Sequence, residues 1–371
     1  MNPAHTAPVD LSRRRLVTLS AGAVGALALG GCSASATSGG TGSSSTKLEN
    51  ELNVLNWGGY IDFAVAPFEK KYGVKVNIEH YGSETEAFAK VRSSPGRYDT
   101  FNVGVGFLEP AVAQGLVQPL DIQRIPSYKE SYPAFRPGPF EIDGKIYGVA
   151  YAWGTNGIAY NTTLVPSAVT SWASFWDPAF KGKTALRDTA TTQYVASCLY
   201  LGLDFNKPSE DQWGRIEAAM IARAKNMRTL WSSGDDLKRF MAQGDVVLAD
   251  CYDGLGVSIH EAQPEVVYAT PAEGTDGWYD GPELLARAPH PNTAYAWIDF
   301  VTSTAMQLLV AKKVHYAPGN SKVPGLLSSK LLTQLNLNDP KTTLSRLKFH
   351  NALGATWDQR ISDAWAKAKI Q

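Results

Sequence analysis

The sequence predicts an α/β fold with a mainly parallel sheet. Of the 371 residues, 44% are hydrophobic, which is enough for two or three domains with their own cores. Short apolar or alternating segments, typical of strands, alternate with segments that have helical spacing. No internal repeat of roughly 20 to 50 residues is visible, so a solenoid is not indicated. We therefore expect two α/β lobes that are joined by more than one chain crossing.

The first third of the chain shows strand and helix patterns in alternation. Ser83 followed by Glu86 forms a capping box, which is typical of the first turn of a helix. Three strand–helix pairs in succession favour βαβ units. The predicted strands are residues 52–56, 74–81 and 100–105, and the predicted helices are residues 63–72, 83–91 and 107–114.

The same alternation continues to the end of the chain. Ser209 is predicted to cap a helix whose apolar side carries Trp213 and Ile216. Residues 246–251 are apolar and are predicted to form a buried strand. Asn292 is predicted to cap a helix that extends through Val310.

Residues 1–31 have the organisation of a twin-arginine export signal. Arg13, Arg14 and Arg15 precede an apolar stretch of roughly fourteen residues, shorter than the roughly 20 that cross a membrane. The stretch ends in a lipobox at Cys32, which is therefore the predicted lipidation site. Residues 32–47 form a flexible Gly/Ser/Thr linker. We expect the mature protein to be exported and held at the outer face of the cytoplasmic membrane by its lipid anchor alone.

Composition excludes several classes of protein. The 35 basic and 35 acidic residues give zero net charge, so nucleic acid is not an expected partner. Three cysteines without a Cys-x-x-Cys pair do not build a zinc site or a disulfide framework. Cys198 and Cys251 are predicted to be small buried residues, and a disulfide between them is the alternative.

Catalytic motifs are incomplete in this sequence. Gly182, Lys183 and Thr184 resemble the end of a phosphate-binding loop, but Asp177 stands where its first glycine belongs. His260 and Glu261 lack the second histidine of a zinc protease. No Gly-x-Ser-x-Gly segment occurs. We therefore expect no enzyme activity, no catalytic residues, no cofactor and no metal.

Four segments combine aromatic residues with turn-forming residues or carboxylates. An aromatic face attracts an ammonium group by about 0.5–2 kcal/mol, and a nearby carboxylate balances the charge of a buried cation. Each segment alone could equally place an aromatic residue in the core and a carboxylate at the surface. Together, in loops at strand ends, they predict a cage for an amine. The segments are residues 56–60, 153–155, 252–254 and 278–280.

The sequence resembles the spermidine/putrescine-binding solute receptors of polyamine ABC importers. The resemblance extends over residues 51–371 in unbroken order, and the order of its short motifs makes it specific. These motifs include Asn56-Trp57 with Tyr60, Tyr98-Asp99, Trp153-Gly154 with Asn161, Val169 to Trp172 with Trp176, Pro178, Lys181 and Gly182, Trp278 with Asp280, and Tyr316, Pro318 and Asn320.

The resemblance implies a two-lobed clamp of the periplasmic-binding-protein type II, which closes on its ligand by a hinge motion. The first lobe would contain residues 48–152 and 281–322, and the second lobe residues 153–280 and 323–371. The implied function is that of a monomeric substrate-binding lipoprotein that passes a small amine to an ABC permease.

The resemblance also assigns site residues. Trp57, Tyr60, Trp278 and Tyr316 match aromatic walls of the amine groove, and Tyr252, next to Asp253, stands where the family usually has Trp. Asp280 matches the carboxylate that pairs with the ammonium group. Two acidic positions of the polyamine site are occupied by Thr189 and Thr192, and a glutamine is replaced by His350. Gly59, Gly104 and Gly106 also replace larger or polar residues of the family pattern.

These departures leave two further functions open. With fewer carboxylates to pair with a polycation, the pocket would also suit a zwitterionic solute such as an amino acid, an opine or an aminophosphonate. An exported enzyme on the same scaffold is the other alternative.

Overall fold

The structure, a computed structural model, describes residues 47–104, 106–351 and 353–370. The predicted signal peptide, Cys32 and the linker up to residue 46 lie outside these residues. None of the helices within the described ranges is long and apolar enough to span a membrane.

Strands and helices alternate along the described chain, as the sequence predicts. The strands are β1 (Glu51–Trp57), β2 (Lys75–Tyr81), β3 (Thr100–Gly104), β4 (Glu141–Ile142), β5 (Lys145–Ile146), β6 (Ala152–Asn161), β7 (Thr184–Arg187), β8 (Met227–Trp231), β9 (Leu248–Tyr252), β10 (Val266–Ala269), β11 (Asp276–Leu284), β12 (Ala317–Pro318) and β13 (Lys348–Phe349). The helices are α1 (Val65–Tyr72), α2 (Glu84–Ser93), α3 (Leu108–Ala113), α4 (Ala190–Tyr200), α5 (Glu210–Asn226), α6 (Gly234–Ala242), α7 (Asp253–Ala262), α8 (Pro291–Thr302), α9 (Thr304–Leu309), α10 (Ser329–Gln334), α11 (Pro340–Arg346) and α12 (Ala355–Ala368).

The main sheet contains two groups of three parallel strands. In the first group β1 lies between β2 and β3, and in the second group β7 lies between β8 and β9. Within each group the helices follow the strands, which is the βαβ arrangement that the alternation predicts. The carboxyl ends of parallel strands lie at one edge of each group, where α/β proteins bind ligands.

Two long antiparallel strands connect the groups. Residues 152–155 of β6 pair with β11, whereas residues 156–160 pair with β9. The other end of β11 pairs with β3 of the first group. The sheet is therefore mixed. The predicted parallel pairing is found within each group, but the connecting strand β6 pairs antiparallel with β9 and β11, and β11 pairs antiparallel with β3. Residues 153–155 and 278–280, expected in loops, lie inside these two strands.

Helix capping follows the sequence in one case and departs from it in another. Ser83 accepts a hydrogen bond of 3.2 Å from the backbone N–H of Glu86, which confirms the predicted cap of α2. Asn292 does not cap α8, because the helix begins at Pro291 and Glu49 accepts from the N–H of Thr293 at 2.7 Å. α8 ends at Thr302 rather than at Val310, since Ser303 has an extended backbone.

Hydrophobic clusters form around each parallel group. Two clusters surround the first group and include Leu55, Phe101 and Trp297. Two others surround the second group and include Leu186 and Ala249. Their side chains come from distant parts of the sequence, as expected for lobes that the chain enters more than once.

The C-terminal quarter of the chain contributes to both sets of clusters. Leu335 and Leu344 pack with the first group, whereas Ile361 and Trp365 of α12 pack with the second. The residue boundaries of the two lobes remain a prediction.

Cys198 and Cys251 are both buried and free. The prediction that they serve as small buried residues is confirmed. Burial raises the pKa of the Cys198 thiol to about 12. A thiol with so high a pKa is protonated at neutral pH and is a poor nucleophile.

Candidate functional site

A cavity of about 510 Å³ lies at the carboxyl ends of both groups of parallel strands. β1 and β3 reach it with Trp57 and Gly104, while β7, β8 and β9 reach it with Arg187, Trp231 and Tyr252. The strand ends of two groups thus converge on one space, which is the usual location of a ligand in α/β proteins. Six of the ten predicted binding residues line it: Trp57, Tyr60, Tyr252, Trp278, Asp280 and Tyr316.

Four of these residues form a continuous series of aromatic rings. The centroids of Trp278 and Tyr316 are 4.7 Å apart, with the rings nearly perpendicular. Tyr252 meets Trp278 at 5.9 Å, and Tyr60 meets Tyr316 at 5.9 Å, also edge to face. Such pairs stabilise each other beyond the burial of their area and hold the rings in fixed orientations. The series gives the cavity an aromatic wall.

Asp280 is the carboxylate at this wall. It lies on β11 opposite Gly104 of β3, and only 7% of it is exposed. Its Oδ1 accepts a hydrogen bond of 2.7 Å from the Tyr60 hydroxyl. Burial, together with the negative charge of Glu84, raises the pKa of Asp280 to about 7, although the Tyr60 hydrogen bond opposes this shift. A positive charge next to Asp280 would favour its ionised form.

The structure also places charged and polar residues in the cavity that the sequence analysis did not identify. Arg187 ends β7, and its guanidinium carbon lies 4.2 Å from the centroid of the Tyr252 ring. Glu84 begins α2, directly after the turn that follows β2. Burial raises the pKa of Glu84, and the charge of Arg187 opposes this shift. Trp231, Ser232 and Ser258 line the same space.

The rule that strand ends carry binding residues could have identified Arg187. Arg187, however, does not lie in one of the segments that combine aromatic residues with turn-forming residues or carboxylates. Glu84 lies between Ser83 and Glu86, in a segment that the sequence identifies only as a capping box, and the cap by Ser83 is correct. The same residue nevertheless reaches the cavity, since the first turn of α2 follows the carboxyl end of β2.

Asp253 is next to the cavity but does not line it. Its Oδ2 accepts from the backbone N–H of Thr155 at 3.0 Å, and its Oδ1 accepts from Gly254 at 2.8 Å. The bond from Thr155 joins the start of α7 to β6. Burial raises the pKa of Asp253 to about 7, while the bonds to Thr155 and Gly254 oppose the shift.

Three further predicted residues lie away from the cavity lining. Thr189 precedes α4, and Thr192 is buried within its first turn. His350 packs against Phe205, with ring centroids 6.2 Å apart, and burial lowers its pKa to about 4. For these residues and Asp253 a role in binding stays a prediction.

Among the described residues, no group of three or more His, Cys, Asp or Glu side chains could hold a metal ion. The cavity instead offers aromatic faces, two carboxyl groups and a guanidinium group. This combination suits recognition of a small charged organic molecule.

Residues 64–334 match the family of bacterial extracellular solute-binding proteins. The chain belongs to this family. A receptor of this kind binds a small solute, which agrees with a cavity at the strand ends of two α/β halves. The predicted function as a solute receptor is confirmed at this level.

The spermidine/putrescine-binding periplasmic protein of Escherichia coli K12 is 27% identical over 338 residues, which cover 90% of this chain and 93% of that protein. Among solved structures, the spermidine/putrescine ABC transporter substrate-binding protein PotD of Streptococcus pneumoniae has a TM-score of 0.77 at 24% identity, covering 87% of this chain and 99% of that chain. The periplasmic binding protein MotA of Agrobacterium tumefaciens B6, in complex with glucopine, has a TM-score of 0.70 at 19% identity, covering 86% and 99%. These likenesses confirm the predicted two-lobed periplasmic-binding-protein fold.

Proposed function

We propose that this protein is the substrate-binding receptor of an ABC importer and that it captures a polyamine or a related small amine. The observation that carries the proposal is the position of Asp280, a buried carboxyl group beside a continuous series of aromatic rings. Aromatic faces attract an ammonium group, and a carboxylate pairs with it. The names of relatives such as the E. coli spermidine/putrescine-binding protein support the same class of ligand.

The raised pKa of Asp280 explains why an amine would bind there. Without a nearby cation, the ionised carboxylate is costly in a buried position, so protonation is favoured up to about pH 7. An ammonium group removes this cost when it lies against the carboxylate. The binding energy is then largest for ligands that place a positive charge at Asp280 and an aliphatic chain along the rings.

The cavity carries fewer negative charges than a site for a polycation needs, and it also carries a positive charge. Glu84 and Asp280 are its two acidic side chains among the described residues, and Arg187 adds a positive charge. A second ammonium group near Arg187 would be repelled. A receptor for a zwitterionic solute, such as an amino acid, an opine or an aminophosphonate, is therefore a second candidate function.

A thermal-shift screen tests the proposal with putrescine, spermidine, amino acids, opines and aminophosphonates. Because a ligand stabilises only the folded state, an amine at 100 times its Kd should add about 2.7 kcal/mol to the free energy of unfolding. Sugars and dicarboxylates without an amine serve as controls. Binding of these controls but of no amine would contradict the proposal. The bound amine should be recovered chemically unchanged, because we propose a receptor without enzyme activity.

We further propose that the receptor is exported by the twin-arginine signal and is lipidated at Cys32. The order of arginines, apolar stretch, lipobox and linker in residues 1–47 supports this. It would act as a monomer, with a membrane permease as its partner, and close by moving residues 48–152 and 281–322 relative to 153–280 and 323–371.

Lipidation at Cys32 is tested with labelled fatty acid, which should enter the wild type and Ser33→Ala but not Cys32→Ala. Incorporation into Cys32→Ala would contradict the anchor.

A further inference from the structure

We infer that the ligand carries a carboxylate or another oxyanion in addition to its amine, and that Arg187 holds this group. The inference rests on the proposed function, because it assigns the second end of the same amine ligand. It follows from three features of the cavity. The guanidinium group of Arg187 has no partner among the described residues, acidic and basic side chains come from different groups of parallel strands, and two helices begin at the same cavity.

The guanidinium group of Arg187 has no hydrogen bond or ion pair with any residue in the described ranges. It is half-buried and contacts the faces of Tyr252, at 4.2 Å, and Trp231, at 5.9 Å. Burial lowers the pKa of Arg187, while the charges of Glu84, Asp250 and Asp276 oppose this shift. An arginine held by aromatic rings presents its planar set of N–H donors in a fixed direction, and such a fork matches a carboxylate or phosphonate.

The fully buried arginine of the described residues is paired. Arg223, which is fully buried, forms an ion pair of 2.8 Å with Asp250. Asp250 also accepts a hydrogen bond of 2.7 Å from the backbone N–H of Arg187, and this bond holds the main chain of Arg187 in place. The rigid backbone and the unpaired guanidinium group together indicate a residue positioned for a partner that is not part of the chain.

Positive and negative side chains enter the cavity from different halves of the sheet. Asp280 pairs with β3 of the first parallel group, and Glu84 follows β2 of the same group. Arg187 ends β7 at the centre of the second group. A molecule with an ammonium group at one end and an oxyanion at the other would bridge the two halves with favourable charges at both ends. A diamine would pair with the acidic side chains near the first group, but its second ammonium group would find no acidic partner at Arg187.

Two helices begin at the same cavity as Arg187. α6 begins at Gly234 and α7 at Asp253, and the cavity is lined by Gly234, Gly254 and Ser258 from these helices. The N-terminal end of a helix carries a partial positive charge, which adds to the field of Arg187. Ser232 and Ser258 provide hydroxyl groups that can donate to an oxyanion.

Calorimetry with matched ligands tests this inference. Putrescine, 4-aminobutanoate and 3-aminopropylphosphonate share an amine and a short chain but differ at the other end. The panel is extended to α-amino acids and opines. At least one amine that carries an oxyanion should bind more tightly than putrescine. Preference for a carboxylate or for a phosphonate identifies the kind of oxyanion. If diamines bind and no oxyanion-bearing amine does, the inference is wrong while the proposed function stands. If no amine binds, both are wrong.

The Arg187→Gln variant separates oxyanion binding from a structural role. It should weaken the oxyanion-bearing ligand about 10- to 100-fold, while putrescine binding stays the same or improves. Arg187→Lys should give an intermediate loss, because it keeps the charge without the planar fork. Arg228→Gln is the matched control, since Arg228 is exposed and pairs with Asp245. Equal weakening of both ligands by Arg187→Gln would show that Arg187 only joins the halves, for instance by pairing with Glu84, and would overturn the inference.

Discussion

The Tyr60 hydroxyl donates a hydrogen bond of 2.7 Å to Oδ1 of Asp280, and each residue is only 7% exposed. The two residues are 220 positions apart in the sequence. Tyr60 follows β1 and Asp280 lies on β11, so the bond joins a parallel strand end to a connecting strand. It fixes the direction of the carboxyl group and favours its ionised form.

Tyr60→Phe should weaken amine binding about tenfold at pH 8, because a hydrogen bond to a charged group contributes roughly 1.5–3 kcal/mol. The ring remains, so the aromatic wall should persist. Calorimetry with the tightest amine of the screen measures the effect. Tyr72→Phe is the control, since Tyr72 packs against Phe68 away from the cavity. Equal affinities for Tyr60→Phe and the wild type would contradict a role for this bond.

Amine affinity should rise with pH between about 6 and 8. Burial raises the pKa of Asp280 to about 7 in the free protein, so at pH 6 most molecules carry a neutral carboxyl group. Protonation removes the charge that attracts the ammonium group. Below the pKa, affinity should fall by up to about tenfold per pH unit. Glu84 also lines the cavity and has a raised pKa, so the Glu84→Gln variant should be measured in parallel. If amine affinity did not change with pH in either protein, Asp280 would not be the group that pairs with the ammonium group.

Asp280→Asn should stabilise the ligand-free protein at alkaline pH. The folded pKa of about 7 lies above the ordinary value of about 3.9, so the folded state binds more protons than the unfolded state between these values. Stability is therefore lost as pH rises from about 4 to 7, and the variant avoids this loss. Urea unfolding should show a gain of about 2–4 kcal/mol at pH 8 and little gain at pH 4. Destabilisation at pH 8 would contradict the raised pKa.

Arg223→Met should destabilise the protein by about 3–5 kcal/mol, because it leaves Asp250 charged and buried without its partner. Asp250 also accepts from Gln193 at 2.9 Å and from the main chain of Arg187, so the loss should extend to the cavity. Arg228→Met removes an exposed pair with Asp245 and should cost no more than about 1 kcal/mol. Urea unfolding of both variants measures the difference. Equal effects would show that burial of the pair is unimportant.

The sequence predicted the first parallel group well. Local patterns suffice there, since β1, β2 and β3 are short apolar segments and Ser83 caps the following helix. The aromatic wall and Asp280 were also predicted, because they belong to compact motifs that resemble a known family. Six of the ten predicted binding residues line one cavity.

The connecting strands were not predicted. Gly154 suggested a turn in the sequence, but it lies within β6. A Cβ atom at Gly154 would come within 2.6 Å of side-chain atoms of Asp253 and Trp278. Glycine is required there by close packing between distant segments, and not by a turn. Such a requirement does not leave a local pattern in the sequence.

Arg187 was missed for a related reason. Nothing in its neighbouring residues shows that its side chain lacks a partner, since that depends on what the other strands bring near it. Its contacts are with Tyr252 and Trp231, which end two neighbouring strands. The resemblance instead assigns Thr189 and Thr192, which occupy acidic positions of the family pattern, and these residues do not line the cavity.

The Kd of the tightest amine for the wild type and for Asp280→Asn, measured by calorimetry at pH 8, shows whether Asp280 pairs with the ligand's ammonium group. Removing the charge should weaken binding by more than about 2 kcal/mol, or roughly 30-fold, because the ammonium group loses its buried partner. Asp62→Asn is the control, since Asp62 is exposed and bonded to His80. An unchanged Kd in Asp280→Asn would show that the amine binds elsewhere and that Asp280 is not its partner.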